Sequence, residues 1–181
     1  KSNWTGPSVS HDDDARGEDP WCAHVSYLRP HPPYLAPAPY HDMFDPSDVP
    51  DPVRHDSRTA EAAVHPFLGG ALGVVPAPED ELDQRQLQAT YFGMIAEVDD
   101  QLGRLFDGLD ERGLTEHTLV VVTSDHGEQL GDHWLIEKLG FFDQSYRIPL
   151  IIRPPAAGRA AGRVVDELTE NVDIVPTILD L

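Results

Sequence analysis

Asp125 and His126 stand side by side where an apolar run, Leu119-Val120-Val121-Val122-Thr123, stops at Ser124. A carboxylate beside an imidazole is a donor set that suits divalent metals. The same pair also reads as a polar turn, with the acid capping the chain and the imidazole on the surface. His31 is a second chemically capable residue. It lies between Pro30 and Pro32-Pro33, and prolines on both sides deny it a helix and restrict its backbone. An imidazole held that way serves as general acid, hydrogen-bond donor or ligand, or it is a turn histidine without a task. Lys138, at the end of the Thr118–Lys138 stretch, is the only lysine besides Lys1.

The elements that must position these groups follow from periodicity. Leu119 to Thr123 has the length and β-branched content of a strand buried on both faces, as in a parallel sheet. In an open α/β sheet, ligands bind just beyond the carboxyl ends of the strands, where Asp125 and His126 fall. Trp21 to Leu28 reads as a second short strand, and it leads into His31. Residues 79–112 read as one helix. Pro78 and the acids Glu79, Asp80 and Glu81 start it, and Gly113 ends it. Leu87, Tyr91, Met94, Ile95, Val98, Leu102, Phe106 and Leu109 recur at threes and fours. Such a helix runs roughly 50 Å, enough to cross a sheet, and with the following strand it makes half of a right-handed βαβ unit. Asp99 and Asp100 sit mid-helix as solvated acids.

Ile148 to Arg153 reads as a further strand with Pro149 at its start or on an edge. Pro154 to Gly162 reads as a loop and Val164 to Leu168 as a short strand. The final helix is entered through Asp173 as N-cap. Residues 35–78 show no periodic segment and read as a proline-rich excursion that wraps the surface, covers a site or contacts another subunit. His41, His55 and His65 within it receive no role. The polar stretch 1–20, with its acidic run from His11 to Asp14, reads as a solvated loop.

The 181 residues amount to one domain by length, and they carry a formal net charge of −19. That field repels nucleic acid and anionic membranes, which excludes polyanion binding. A single cysteine, Cys22, rules out an internal disulfide and fits a reducing, cytoplasmic setting. No apolar run is long enough to span a bilayer. The chain starts at Lys1 and ends at Leu181 inside an apolar pattern, as expected of a piece of a longer protein.

Three separated motifs resemble one family. Thr123-Ser124-Asp125-His126-Gly127-Glu128, then Leu130-Gly131-Asp132-His133 and Lys138, resembles the second metal-binding motif of the sulfatases, in the alkaline phosphatase superfamily. Arg29-Pro30-His31-Pro32-Pro33 resembles that family's basic-Pro-His-x-Pro motif, and Asp173-Ile174-Val175-Pro176-Thr177-Ile178-Leu179 its D-I-x-P-T-x-L signature. The wording around His31, and from Gly140 to Arg153, is most similar to the phosphonate monoester hydrolases, which also cleave phosphodiesters and sulfate esters. The family's nucleophile is a formylglycine made from the cysteine of C-x-P-x-R. Here Cys22 is followed by Ala-His-Val-Ser, so that site is not in this chain. The family's first metal-binding aspartates also lie upstream of anything here.

The resemblance implies an α/β fold: an incomplete alkaline phosphatase-like, doubly wound and mostly parallel sheet with helices on both faces. It implies a partial catalytic domain over 1–181, with the excursion at 35–78, the helix at 79–112, and the metal-site strand with later sheet elements at 118–181. Asp125 and His126 would bind one divalent ion, manganese or calcium, with iron or zinc as alternatives. Lys138 would place a point charge on a substrate oxygen, and His31 would donate to the leaving group or the transferred oxyanion. His133 would take a positioning role or a structural one. Asp132 reads as a surface acid, and Arg147 as an ion-pair partner or part of an anion site. The expected reaction is metal-dependent hydrolysis of a small anionic sulfate ester, phosphonate monoester or phosphodiester, with a homo-oligomer as an allowed assembly. The alternatives are a two-metal phosphatase or phosphomutase of the same superfamily, and a non-catalytic metal-binding fragment. The isolated chain is expected to show no turnover and weak metal binding.

Overall fold

The structure, a computed structural model, describes residues 21–156 and 162–180. The expected loop at 1–20 and the middle of the loop at 154–162 lie outside the described residues. The elements in order are α1 (Arg58–Val64), α2 (Pro66–Leu72), α3 (Glu81–Glu111), β1 (Val120–Thr123), α4 (Asp143–Tyr146), β2 (Leu150–Arg153) and α5 (Ile174–Asp180), with short 3-10 turns between.

Helix α3 is the spine, and it forms where the periodicity places it. Asp80 caps it, its Oδ1 accepting from the amides of Leu82 at 2.8 Å and Asp83 at 3.1 Å. At the other end Gly113 N donates to Asp110 O, and Leu114 N to Leu109 O, each at 2.9 Å. The segment before α3 lies along it. Tyr34 meets Tyr91 edge-on at 6.3 Å, Phe44 meets Phe92 at 5.7 Å, and Tyr40 donates to Asp100, so Asp100 is not simply solvated.

The buried interior is unusually polar. Met94 and Leu135 are fully buried, with Ala77, Ala89, Leu68, Ala71 and Val49. Glu61, Gln84, Gln88, Gln129 and Ser145 are buried with them. Polar groups are tolerated inside only where they are hydrogen-bonded. Gln84, Gln129 and Glu61 each bond to the segment that follows β1.

The 35–78 excursion is not structureless. It contains α1, whose N-cap Ser57 accepts from Ala60 N, and α2, capped by the His65 ring with Pro66 in its first turn. Each is only seven residues long, too short to show two turns of apolar period. The excursion ends by pairing with the site segment: Ala77 N donates to Trp134 O at 2.8 Å and Ile136 N to Val75 O at 3.0 Å.

The ladder among the described residues is the antiparallel pair β1–β2, in register from Val120 opposite Arg153 to Thr123 opposite Leu150. Parallel neighbours for β1 are not among the described residues, and β1 is therefore half-buried rather than buried on both faces, with Thr123 exposed. Trp21–Leu28 is not a strand, and neither is Val164–Leu168. Strand composition makes a strand only where a neighbour satisfies the backbone. Asp173 does not cap α5 as expected. It closes a capping box with Glu170 one turn earlier, and α5 continues from that turn.

Candidate active site

β1 delivers Asp125 and His126 beyond its carboxyl end. Ser124 Oγ donates to His126 O at 2.6 Å, and His126 N donates to Asp125 Oδ1 at 3.1 Å. The following Gly127 is required by a close approach. Its N–H donates to Ser145 O at 2.8 Å, and a Cβ at this position would overlap the carbonyl of Gln144. The 144–145 backbone therefore fixes where the Asp-His pair points.

His126 presents a defined ring. Nδ1 donates a hydrogen bond to Gly127 O at 2.8 Å. That tautomer leaves Nε2 unprotonated, as an acceptor. Asp125 Oδ2 is 3.7 Å from Nε2 and Lys138 Nζ is 2.9 Å from it. The His31 ring stands edge-on to His126 with centroids 6.3 Å apart. Four residues singled out in the sequence thus converge: His31, Asp125, His126 and Lys138. The Asp125 side chain is 88% exposed and that of His126 is 27%, so the cluster opens outward from a ring seated against the protein.

The donor set fits part of a metal centre. A carboxylate oxygen and an unprotonated imidazole nitrogen 3.7 Å apart would suit two ligands of one divalent ion. Among the described residues no group of three or more His, Cys, Asp or Glu side chains converges in this way. Asp125 and His126 would supply two ligands among the described residues.

His133 sits elsewhere. Its Nδ1 is 3.0 Å from the buried Glu61 carboxylate, and its ring stacks on Phe142 with centroids 3.6 Å apart. Glu61 also accepts from His55 N at 2.9 Å. Asp132 is not a surface acid. It is half-buried and accepts from Val53 N at 2.7 Å and Gln144 Nε2 at 2.6 Å. Trp134 donates to His55 O at 2.8 Å while the Arg54 guanidinium covers its ring at 3.7 Å. Together Asp132, His133 and Trp134 fasten the excursion onto the site segment. Arg147 is exposed and has no ion pair among the described residues.

Several residues that sequence reasoning passed over hold this segment. Gln84 reaches from α3 to Leu130 O at 2.6 Å. It packs so closely on Gly131, at φ +100°, that no side chain fits there. Gln129 donates to Ser145 Oγ at 2.8 Å. Asn171 donates to Ser124 O at 3.0 Å, tying the start of the last helical segment to the end of β1. The half-buried Glu128 carboxyl accepts from Gln129 N at 3.2 Å and from Glu137 N. Burial pushes its pKa above the usual range, with Tyr34 and backbone amides opposing. Burial, then the Glu128 charge, pushes the Tyr34 hydroxyl far above the ordinary phenol range.

The family model for sulfatases matches residues 10–181. The chain is 46% identical over 180 residues to PehA of Trinickia caryophylli, described as a multifunctional alkaline phosphatase superfamily protein, covering 91% of this chain and 35% of that one. It is 33% identical to an arylsulfatase of Clostridium perfringens, covering 89% of this chain and 34% of the other. Among solved structures, the phosphonate monoester hydrolase of Agrobacterium radiobacter superimposes with a TM-score of 0.85 at 47% identity, over 90% of this chain and 35% of that one. The phosphonate monoester hydrolase of Silicibacter pomeroyi superimposes with a TM-score of 0.84 at 41% identity, over 93% of this chain and 35% of that one. The chain therefore spans about a third of the length of these relatives.

Proposed function

This chain belongs to the sulfatase family, and we propose that the whole protein hydrolyses phosphonate monoesters, phosphodiesters or sulfate esters, with these residues forming one wall of its active site. The α/β architecture it shares with phosphonate monoester hydrolases supports the class of reaction. The observation that carries the proposal is the convergence of an acid, an imidazole with an unprotonated Nε2, an ammonium and a second imidazole at the end of β1.

In this reading Asp125 and His126 hold a divalent ion, manganese or calcium being the first choices. When bound, such an ion supplies Lewis-acid stabilisation of the anionic oxygens and activates the nucleophile. The nucleophile is a formylglycine contributed from outside this chain, since Cys22 is exposed and lies outside a C-x-P-x-R context. Lys138 binds a non-bridging oxygen of the ester and stabilises the charge that grows on it. His31 holds a proton next to the leaving oxygen and delivers it as the ester bond breaks. The Gly127 carbonyl keeps the His126 proton on Nδ1 throughout.

The test is to assay the whole protein side by side on a phenyl phosphonate monoester, a phosphodiester and an aryl sulfate, with and without chelator. Turnover of at least one ester, lost on chelation and restored by a divalent ion, is the expected result. Absence of turnover on all three, with metal loaded, would refute the proposal.

A further inference from the structure

The segment that carries Lys138 is bent in a way its own residues do not favour. Leu130, His133, Trp134, Glu137 and Phe141 all have φ between +50° and +61°, the left-handed region that non-glycine residues avoid. Such a conformation is strained and persists only where the surroundings enforce it. Glu137 is the last of them before Lys138. What enforces its position is close at hand. Glu137 O accepts from Gln129 N at 2.8 Å, and Glu137 N donates to the Glu128 carboxylate, which also accepts from Gln129 N. The two ends of the 128–137 loop are thereby clasped together, and the residue after the clasp is Lys138, 2.9 Å from His126 Nε2.

Glu128 has no cationic partner among the described residues. It accepts from the backbone N–H groups of Gln129 and Glu137, the pattern of a carboxylate that sets a loop's shape. The half-buried Tyr34, from the loop that carries His31, lies near enough for its hydroxyl to feel the Glu128 charge, and it packs on Tyr91 of α3.

We propose that Glu128 is a positioning residue which, through the Glu137 amide, holds the Lys138 ammonium at the edge of the Asp125–His126 cluster. The proposal rests on the reading of this cluster as an ester-hydrolase site. A merely structural glutamate would affect folding and would act independently of Lys138. A positioning residue acts through Lys138 and disappears with it.

The experiment is a double-mutant cycle in the whole protein, with hydrogen exchange as a second readout. Glu128→Ala is expected to lower kcat/KM by about 30-fold, mainly in kcat, because a displacement of about 1 Å at a catalytic group carries a loss of this order. In a Lys138→Ala background the same change is expected to lower it by less than about 3-fold, since residues acting as a unit are not additive. Glu128→Gln, which keeps an acceptor oxygen, is expected to stay within about 5-fold of the unmodified enzyme. Hydrogen exchange over residues 129–138 should speed up in Glu128→Ala and not elsewhere in the chain. Full additivity with Lys138→Ala, equal losses in the Gln and Ala variants, or unchanged exchange in that peptide would overturn the proposal. If Lys138→Ala has no measurable turnover, the exchange pattern and the Gln-against-Ala comparison decide. If the unmodified protein hydrolyses none of the esters, the functional reading fails on its own, and hydrogen exchange still decides whether Glu128 clasps the loop.

Discussion

Lys138 Nζ stands 2.9 Å from His126 Nε2, on the ring nitrogen left unprotonated because Nδ1 bonds the Gly127 carbonyl. The ammonium thus lies along the lone pair that a divalent ion would use. Two cationic groups compete for one donor, and their mutual repulsion is felt at short range. Lys138→Ala should therefore bind manganese as tightly as the unmodified protein, or several-fold tighter, while kcat falls by about 10²-fold or more through loss of charge stabilisation. Titration calorimetry and steady-state kinetics on the same preparation check both halves. Weaker metal binding in Lys138→Ala would mean that the lysine supports the ion instead of competing with it.

Gly127 and Gly103 make a paired stability prediction. A Cβ on Gly127 would overlap the Gln144 carbonyl, whereas Gly103, in the middle of α3, has open space around it. Gly127→Ala should destabilise by about 2–3 kcal/mol or prevent folding, as overpacking does. Gly103→Ala should stabilise by about 0.5–1 kcal/mol through helix propensity. Denaturant midpoints of the two variants read both signs.

The His133–Glu61 pair predicts a different failure. Glu61 is 2% exposed and accepts from His133 and from His55 N. His133→Ala leaves that carboxylate short of a donor and removes the stacking on Phe142. A loss of about 2–3 kcal/mol is expected, within the range for an unsatisfied buried acceptor together with lost packing. Proteolysis should then cut within 50–62 before it cuts α3, because the fastening of the excursion is what has been lost. Unchanged stability and an unchanged cleavage pattern would remove His133 from this role.

Alkaline stability follows from Tyr91. Its hydroxyl pKa is pushed up to about 12, by burial first and the Glu128 charge second. The raised value means the fold favours the neutral phenol. The contribution is fully present below pH ~10, the unfolded pKa. It is lost as pH rises through about 12, because the unfolded chain ionises first. Tyr91→Phe should flatten the fall of the denaturant midpoint between those two values, and an unchanged slope would assign the effect to other groups.

What the sequence disclosed, and what it hid, follows the same physics. Helix α3 was legible because its apolar residues hold a 3.6 period over many turns and its ends carry Asp80 and Gly113. The candidate site was legible through the resemblance of three separated motifs, because Asp125 and His126 at the end of an apolar run and His31 between prolines read equally as turns when taken alone. The helices α1 and α2 were hidden, each being too short to show a period. Gln84, Gln88 and Glu61 were hidden for a different reason. A polar residue on a helix reads as a solvated face, and only the tertiary structure reveals that all three are buried, with Gln84 bonded to Leu130 O and Glu61 to the His133 ring. Trp21–Leu28 shows the converse, since strand composition there meets no neighbour to pair with among the described residues.

The most direct test of the central claim, that the end of β1 is one wall of a metal-dependent ester-hydrolase site, is the metal content and hydrolysis rate of His126→Ala in the whole protein. The account predicts that the purified variant holds well under one equivalent of divalent ion and hydrolyses its best ester at least about 10³-fold more slowly. Full metal occupancy together with undiminished turnover in that variant would contradict it.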